Sequence, residues 1–186
     1  MKKTSNGKLP RRNFLLSAPC LILGPQLSEL SFQHSELERK PVLLEELSDK
    51  ENNWISQSQM ASELADFFGQ GYSCAESILL ISLRHLEMPE ECVWAAAGFG
   101  GGLSHKNLCG FLTGGIMALG FDAGHLEKDR TEAKEDCAAK VKEYWKWWQT
   151  VAPLQCVDIR PPGSSSKICI RLGRLACAKI ESLLRT

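Results

Sequence analysis

Eight cysteines are the residues of this sequence best equipped for chemistry: Cys20, Cys74, Cys92, Cys109, Cys137, Cys156, Cys169 and Cys177. A thiolate ligates metals, attacks disulfides and anchors iron–sulfur clusters. Eight in 186 residues is too sparse for a disulfide-stapled miniprotein, and a chain this long buries a core without staples. No two of them form a Cys-x-x-Cys pair. That removes the thioredoxin-type motif, the usual zinc ribbon and the Cys-x-x-Cys-His site of c-type haem. A cysteine site here must therefore be assembled by folding. Nothing else competes with it: there is no P-loop, no nucleotide fingerprint after a strand, no Gly-x-Ser-x-Gly and no His-Glu-x-x-His. His105, just before Cys109, is a candidate ligand or hydrogen-bond donor, although a loop histidine is more often solvated. His34, His85 and His125 carry no spacing signal.

The elements that would position these thiols are helical throughout. From Met60 onward no apolar–polar alternation is long enough for a strand. A helix is expected over about 59–68, ended by Gly69 and Gly71. A second opens at Ser73-Cys74-Ala75-Glu76, a capping box. Pro89 opens a short third helix through Ala97, and Gly98 to Gly102 read as a flexible loop permitting close backbone approach. Asn107 is the expected cap of a fourth helix, 108–119, rich in small residues and so closely packed. A fifth, about 126–150, carries the stripe Ala133, Cys137, Val141, Tyr144, Trp148 and Val151. After Pro153, Pro161, Pro162 and Gly163, Ser164 to Ser166 offer caps for a last helix through Leu184. The expected fold is all-α, a bundle of about five to six helices.

On this plan Cys74, Cys109 and Cys169 fall at helix N-termini and Cys156 in the loop before the last helix. The helix dipole there favours negative charge, so these thiols are expected to have lowered pKa values. Cys137 and Cys177 lie inside helices and read as small core residues, as does Cys92 less clearly. Trp148 belongs to the core stripe. Trp145 and Trp147 either pack under the Pro-rich loop or mark a partner surface, with packing slightly favoured.

The ends and the composition bound the rest. Lys2, Lys3 and Lys8 precede Arg11-Arg12-Asn13-Phe14-Leu15 and the apolar run to Gly24. That run is too short for the roughly twenty residues of a membrane span. It reads as a signal of twin-arginine type over 1–33, which would remove Cys20 and leave no transmembrane anchor. Residues 34–58 read as a polar linker with one weak helix, and 59–186 as the four-cysteine domain. The implied location is outside the cytoplasm, periplasmic or in the cell envelope. Lys plus Arg and Asp plus Glu are both 22, so there is no basic surplus for nucleic acid.

Gly71-Tyr72-Ser73-Cys74-Ala75-Glu76-Ser77, Ala95-Ala96-Ala97-Gly98-Phe99-Gly100-Gly101-Gly102 and Cys109-Gly110-Phe111-Leu112-Thr113-Gly114-Gly115-Ile116-Met117 resemble the C-GCAxxG-C-C family of redox-active proteins. The family's four cysteines map onto Cys74, Cys109, Cys156 and Cys169. Phe111 stands where the family has alanine. The family is similar to the cysteine-bearing domain of split-Soret cytochromes, whose iron–sulfur site accompanies haem; the haem motif is absent here. The resemblance implies one site made of these four cysteines. A [2Fe–2S] or [4Fe–4S] cluster is the leading expectation, with Gly100, Gly101, Gly102 and Gly110 approaching its sulfurs. Thiol–disulfide chemistry, structural disulfides and a four-thiolate zinc site remain open. The expected role is an electron carrier or accessory subunit serving an oxidoreductase partner, rather than an independent catalyst.

Overall fold

Ser48 and Glu51 form a reciprocal capping box that starts α1, Asp49–Ser56. A computed structural model describes residues 47–125 and 129–184, so the arginine pair, the apolar run and Cys20 lie outside the described residues. α1 falls inside the expected polar linker, yet it packs on two later helices through buried Ile55 and half-buried Trp54. Ser58 caps α2, Gln59–Gly69, by accepting from Ala61 N–H. Its hydroxyl also donates to the Glu181 carboxylate, which accepts from Met60 N–H at 3.4 Å. A buried carboxylate thus satisfies one orphan donor at the start of α2 and holds the hydroxyl that satisfies another.

Gly71, at φ 90°, turns the chain into α3, Cys74–His85. The expected Ser73–Glu76 capping box is present. Every residue from Ser77 to Leu83 is buried, so α3 is the central helix, covered on all sides. A 3-10 helix, Glu90–Phe99, then packs back on it, its start tied by a two-pronged Arg84–Glu90 ion pair at 2.9 and 3.0 Å. Ordered helix therefore reaches into the stretch expected as a flexible loop. A π-type turn, Gly102–Lys106, follows.

α4 spans Gly110–His125 and begins two residues later than expected. Asn107 does not cap it. Cys109 C=O accepts the first helical bond, from Thr113 N–H at 3.1 Å, and Asn107 C=O is engaged elsewhere, by Cys156 N–H. The small residues of α4 do face neighbours closely: a Cβ on Gly114 would sit 2.5 Å from Ala75 O in α3, and one on Gly115 would sit 2.8 Å from the Tyr144 ring. Asp129 caps α5, Arg130–Val151. Full burial on α5 begins at Lys140, Tyr144 and Trp148; Ala133, Cys137 and Val141 are only half-buried. Lys140 is buried because Asp122 of α4 meets it at 2.8 Å. Burial raises the thiol of half-buried Cys137, and the nearby Asp136 and Asp122 carboxylates add to the rise while Lys140 opposes it.

Trp147 stacks on Tyr144 and meets Trp54 edge-on, and Trp148 Nε1 donates to Pro153 O at 3.0 Å. Trp54, Trp147 and Trp148 therefore pack, as does half-buried Trp145, whereas Trp94 of the 3-10 helix is exposed. α6 is a single turn, Cys156–Ile159, and α7 runs Lys167–Leu184 with Ser165 Oγ accepting from Lys167 N–H. Leu172, Leu175, Ala176, Ile180 and Leu183 face inward as the periodicity requires, and Cys177 is fully buried among them. Among the described residues there is no strand and no helix long and apolar enough to cross a membrane.

Candidate four-cysteine site

Each of the four thiols stands at the start of a helix. Cys74 is the first residue of α3, Cys109 immediately precedes α4, Cys156 is the first residue of α6 and Cys169 lies in the first turn of α7. Two of these starts are sewn together. Cys109 N–H donates to Leu154 O at 2.9 Å and Cys156 N–H donates to Asn107 O at 2.6 Å, around a single antiparallel Leu108–Gln155 bridge. This pairing carries the Pro-bounded loop back to the head of α4. It also makes Cys156 the beginning of a helical turn rather than part of an irregular loop.

The four sulfurs share one electrostatic neighbourhood. Cys74 and Cys156 each interact with all three of the others. Cys177 instead senses Glu181 and Glu63, and Cys137 senses the Asp122–Asp136–Lys140 group. Cys92 is half-buried against the core from the 3-10 helix. His105 is exposed in the π-type turn.

Backbone N–H groups converge on the deep pair. The backbone N–H groups of Gly101, Ala75 and Gly110 act on the Cys74 thiol and those of Phe111 and Leu112 on the Cys109 thiol, each favouring the thiolate. The glycines make this possible. Gly101 and Gly102 adopt φ 61° and 68°, a left-handed turn that aims an N–H at Cys74. A Cβ on Gly110 would collide with Cys74 Sγ, one on Gly102 would lie 2.7 Å from Cys156 Cβ, and one on Gly100 would lie 2.5 Å from Ser73 Cβ. Leu103, Ser104 and Lys106 continue the turn at φ 57–58°, a conformation costing about 1 kcal/mol or more for each non-glycine residue. Strain of this kind beside a cysteine cluster is stored where the surroundings over-determine the backbone.

The expected lowering of the thiol pKa values does not occur. Burial pushes Cys74 up, against the N–H bond from Gly101, and Cys156 nearby adds to the rise. Burial also pushes Cys109 far up, with Cys74 adding to it. Cys169 is raised by burial as well, although the Arg160 guanidinium beside it pulls the other way. Helix N-termini favour a thiolate, but removal from water costs more than one helix end returns. As free groups these three sulfurs are held as thiols.

Arg160 was not singled out by sequence spacing. Its guanidinium favours the charged form of Cys169, and its backbone N–H donates to Cys156 O at 2.9 Å. The legible signal was its place four residues after Cys156, one helical turn on, just before Pro161-Pro162.

Among the described residues no three His, Cys, Asp or Glu side chains converge tightly enough to hold a single metal ion as they stand. The donor set nonetheless fits a thiolate-ligated group: four sulfurs in one neighbourhood, backbone N–H groups that favour charge on Cys74 and Cys109, and Gly110 where a Cβ would block the Cys74 sulfur. Coordination replaces the thiol proton outright and so overcomes the burial that disfavours the free thiolate.

No curated protein and no solved structure matches the chain. Residues 72–183 match the family described as "Putative redox-active protein (C_GCAxxG_C_C)". The match begins just before Cys74, ends after Cys177, and covers more than half of the 186 residues, so the chain belongs to the C_GCAxxG_C_C family.

Proposed function

We propose that this is an exported redox protein in which Cys74, Cys109, Cys156 and Cys169 hold an iron–sulfur cluster, and that it carries electrons for an oxidoreductase or serves as its accessory subunit. The observation that carries the reading is the set of N–H groups directed at buried sulfurs. Hydrogen bonds from Gly101, Ala75, Gly110, Phe111 and Leu112 suit sulfur that bears charge. Such bonds also tune cluster potential.

Two alternatives fit less well. Thiol–disulfide exchange requires an accessible thiolate, whereas Cys109 is 5% exposed and Cys156 8% exposed. A zinc ion requires its sulfurs within about 2.3 Å of one point. The four side chains do not converge that tightly. A cluster interposes its own iron and sulfide between the thiolates, and so accepts more widely separated ligands.

The test is anaerobic purification of the full chain, with a visible spectrum and iron and sulfide analysis. Broad visible absorption with matched iron and sulfide supports the reading. Replacing any one of the four cysteines by Ser should then cost at least half of the iron, while Cys137→Ser retains it. A colourless protein that also fails cluster loading would sink the proposal and turn attention to zinc content and thiol counts.

A further inference from the structure

Among the described residues the large apolar side chains left exposed are Trp94, at 76%, and Leu103 and Val157, at 37% each. All of them stand on elements that border the four-cysteine site. Val157 follows Cys156, Leu103 follows Gly102 in the π-type turn, and the 3-10 helix of Trp94 leads into that turn. The π-type turn packs against both the 3-10 helix and α6. The three-residue repeat of the 3-10 helix sorts its faces: Val93, Ala96 and Phe99 turn inward, while Glu91, Trp94 and Ala97 form an outward ridge. Exposed Ala95 and Gly98 lie beside that ridge, so one large ring stands among small side chains. From Cys92 to Ser104 the sequence has no Asp, Glu, Lys or Arg, in a chain that is 24% charged. An aromatic anchor in a charge-free centre is the composition of the core of a protein interface.

The charges at the two ends of this face point to what covers it. The 3-10 helix runs antiparallel to α3. It starts beside Arg84, near the end of α3, and it leads to Gly100, where a Cβ would lie 2.5 Å from Cβ of Ser73, the cap of α3. Exposed Glu87 and Glu91 stand at the first end, and Arg84 neutralises Glu90 between them. Exposed Lys106 and His105 stand at the other end, on the π-type turn, where Asp158 and Arg160 of α6 cancel in formal charge. One end is acidic, the other basic, and the apolar ridge lies between. Such a face is complementary to itself about a two-fold axis: the acidic end of one copy meets the basic end of the other. A formal net charge of zero leaves no overall repulsion between copies. We propose that the 3-10 helix and the π-type turn form the interface of a two-fold homodimer centred on Trp94. The second copy then covers the strained turn beside the cysteine site. The proposal is independent of what the cysteines bind.

The experiment measures the mass of the full chain by light scattering over a dilution series, with sedimentation equilibrium for the dissociation constant. Wild type is expected to reach twice the chain mass. Trp94→Ser should weaken the dimer about thirtyfold or more, as loss of a central aromatic anchor does. Charge reversal tests the two-fold arrangement itself. Glu91→Lys and Lys106→Glu should each weaken the dimer, and the two together should recover affinity, because facing ends again carry opposite signs. Lys142→Glu, at an exposed position on α5, should leave the dimer unchanged. Wild type that stays monomeric at every concentration would overturn the proposal and leave the face to a different protein. A dimer unaffected by Trp94→Ser would overturn it too, since the copies then meet elsewhere. So would a double reversal no tighter than the single ones, or an equal loss in Lys142→Glu. If circular dichroism shows that Trp94→Ser does not fold, Ala97→Glu on the same ridge decides: a weakened dimer supports the proposal, and wild-type affinity overturns it.

Discussion

Gly110 shows how a single missing methyl group shapes the site. It is the first residue of α4 and sits against Cys74, with Ala75 N at 3.0 Å and Phe99 O at 3.1 Å from where a Cβ would lie. Helix propensity alone favours Gly110→Ala by about 1 kcal/mol. The contact reverses the sign: Cys74 and the α3 backbone must move, and overpacking of this kind costs about 1–3 kcal/mol. Gly110→Ala is expected to lower stability in urea unfolding and, under the proposed cluster function, to take up less iron than wild type on cluster loading, because Cys74 is displaced. A variant with wild-type iron content would show that Cys74 is not a ligand in that position. The cysteine and its glycine were readable from Cys109-Gly110. The N–H groups of Gly101 and Gly110 that act on Cys74 were not, because those residues are brought to α3 only by the fold.

At the scale of elements, α4 carries both tight and free glycines, and the difference is testable. A Cβ at Gly114 would meet Ala75 O at 2.5 Å, so Gly114→Ala must separate α3 from α4. A Cβ at Gly120 meets nothing within 4 Å. Gly120→Ala is expected to stabilise by up to about 1 kcal/mol and Gly114→Ala to destabilise by about 1–3 kcal/mol, both read by denaturant midpoint. The same direction in both variants would contradict the close α3–α4 packing. Local signals specified the helix starts well where a side chain caps its own helix, as Ser73 with Glu76 does. They failed at Asn107, whose carbonyl pairs with Cys156 across 49 residues of sequence. They also missed the left-handed turn through Leu103, Ser104 and Lys106, since nothing in those residue types favours positive φ.

For the molecule as a whole, buried ionisable groups make stability depend on pH at the alkaline end. Cys177 is fully buried in α7, and burial raises its thiol pKa well above the ordinary value. Below about pH 8.5 the thiol is protonated in both folded and unfolded chains, and it contributes no slope. Above that, the unfolded chain releases a proton that the folded one keeps, so stability falls as pH rises, by up to about 1.4 kcal/mol per pH unit. Lys140 acts in a higher window: its raised pKa gives stability that is full below about pH 10.4 and lost as pH climbs through the folded value. Urea unfolding of Cys177→Ala at about pH 7.5 and about pH 9.5 should show a smaller loss between the two than wild type. An identical loss would mean that Cys177 is not what couples folding to alkaline pH. The variant should lose about 1 kcal/mol at the lower pH from the vacated volume.

Residue type and periodicity determined the all-α class, the inward faces of α7 and the separation of Cys177 from the four clustered thiols. Those features depend on burial of one helical face and on caps a few residues away, so each is encoded over a single turn or two. Tertiary structure alone decided three things. It set the charge state of the thiols, because the depth of Cys109 outweighs the helix end it occupies. It packed the weak helix expected in the linker, α1, onto the domain, because Ile55 found a buried place against α2 and α7. It also brought Arg160 to Cys169, a pairing that no local rule announces. In each case the outcome depends on which surfaces are removed from water together, and that is a property of the assembled helices rather than of any one stretch of chain.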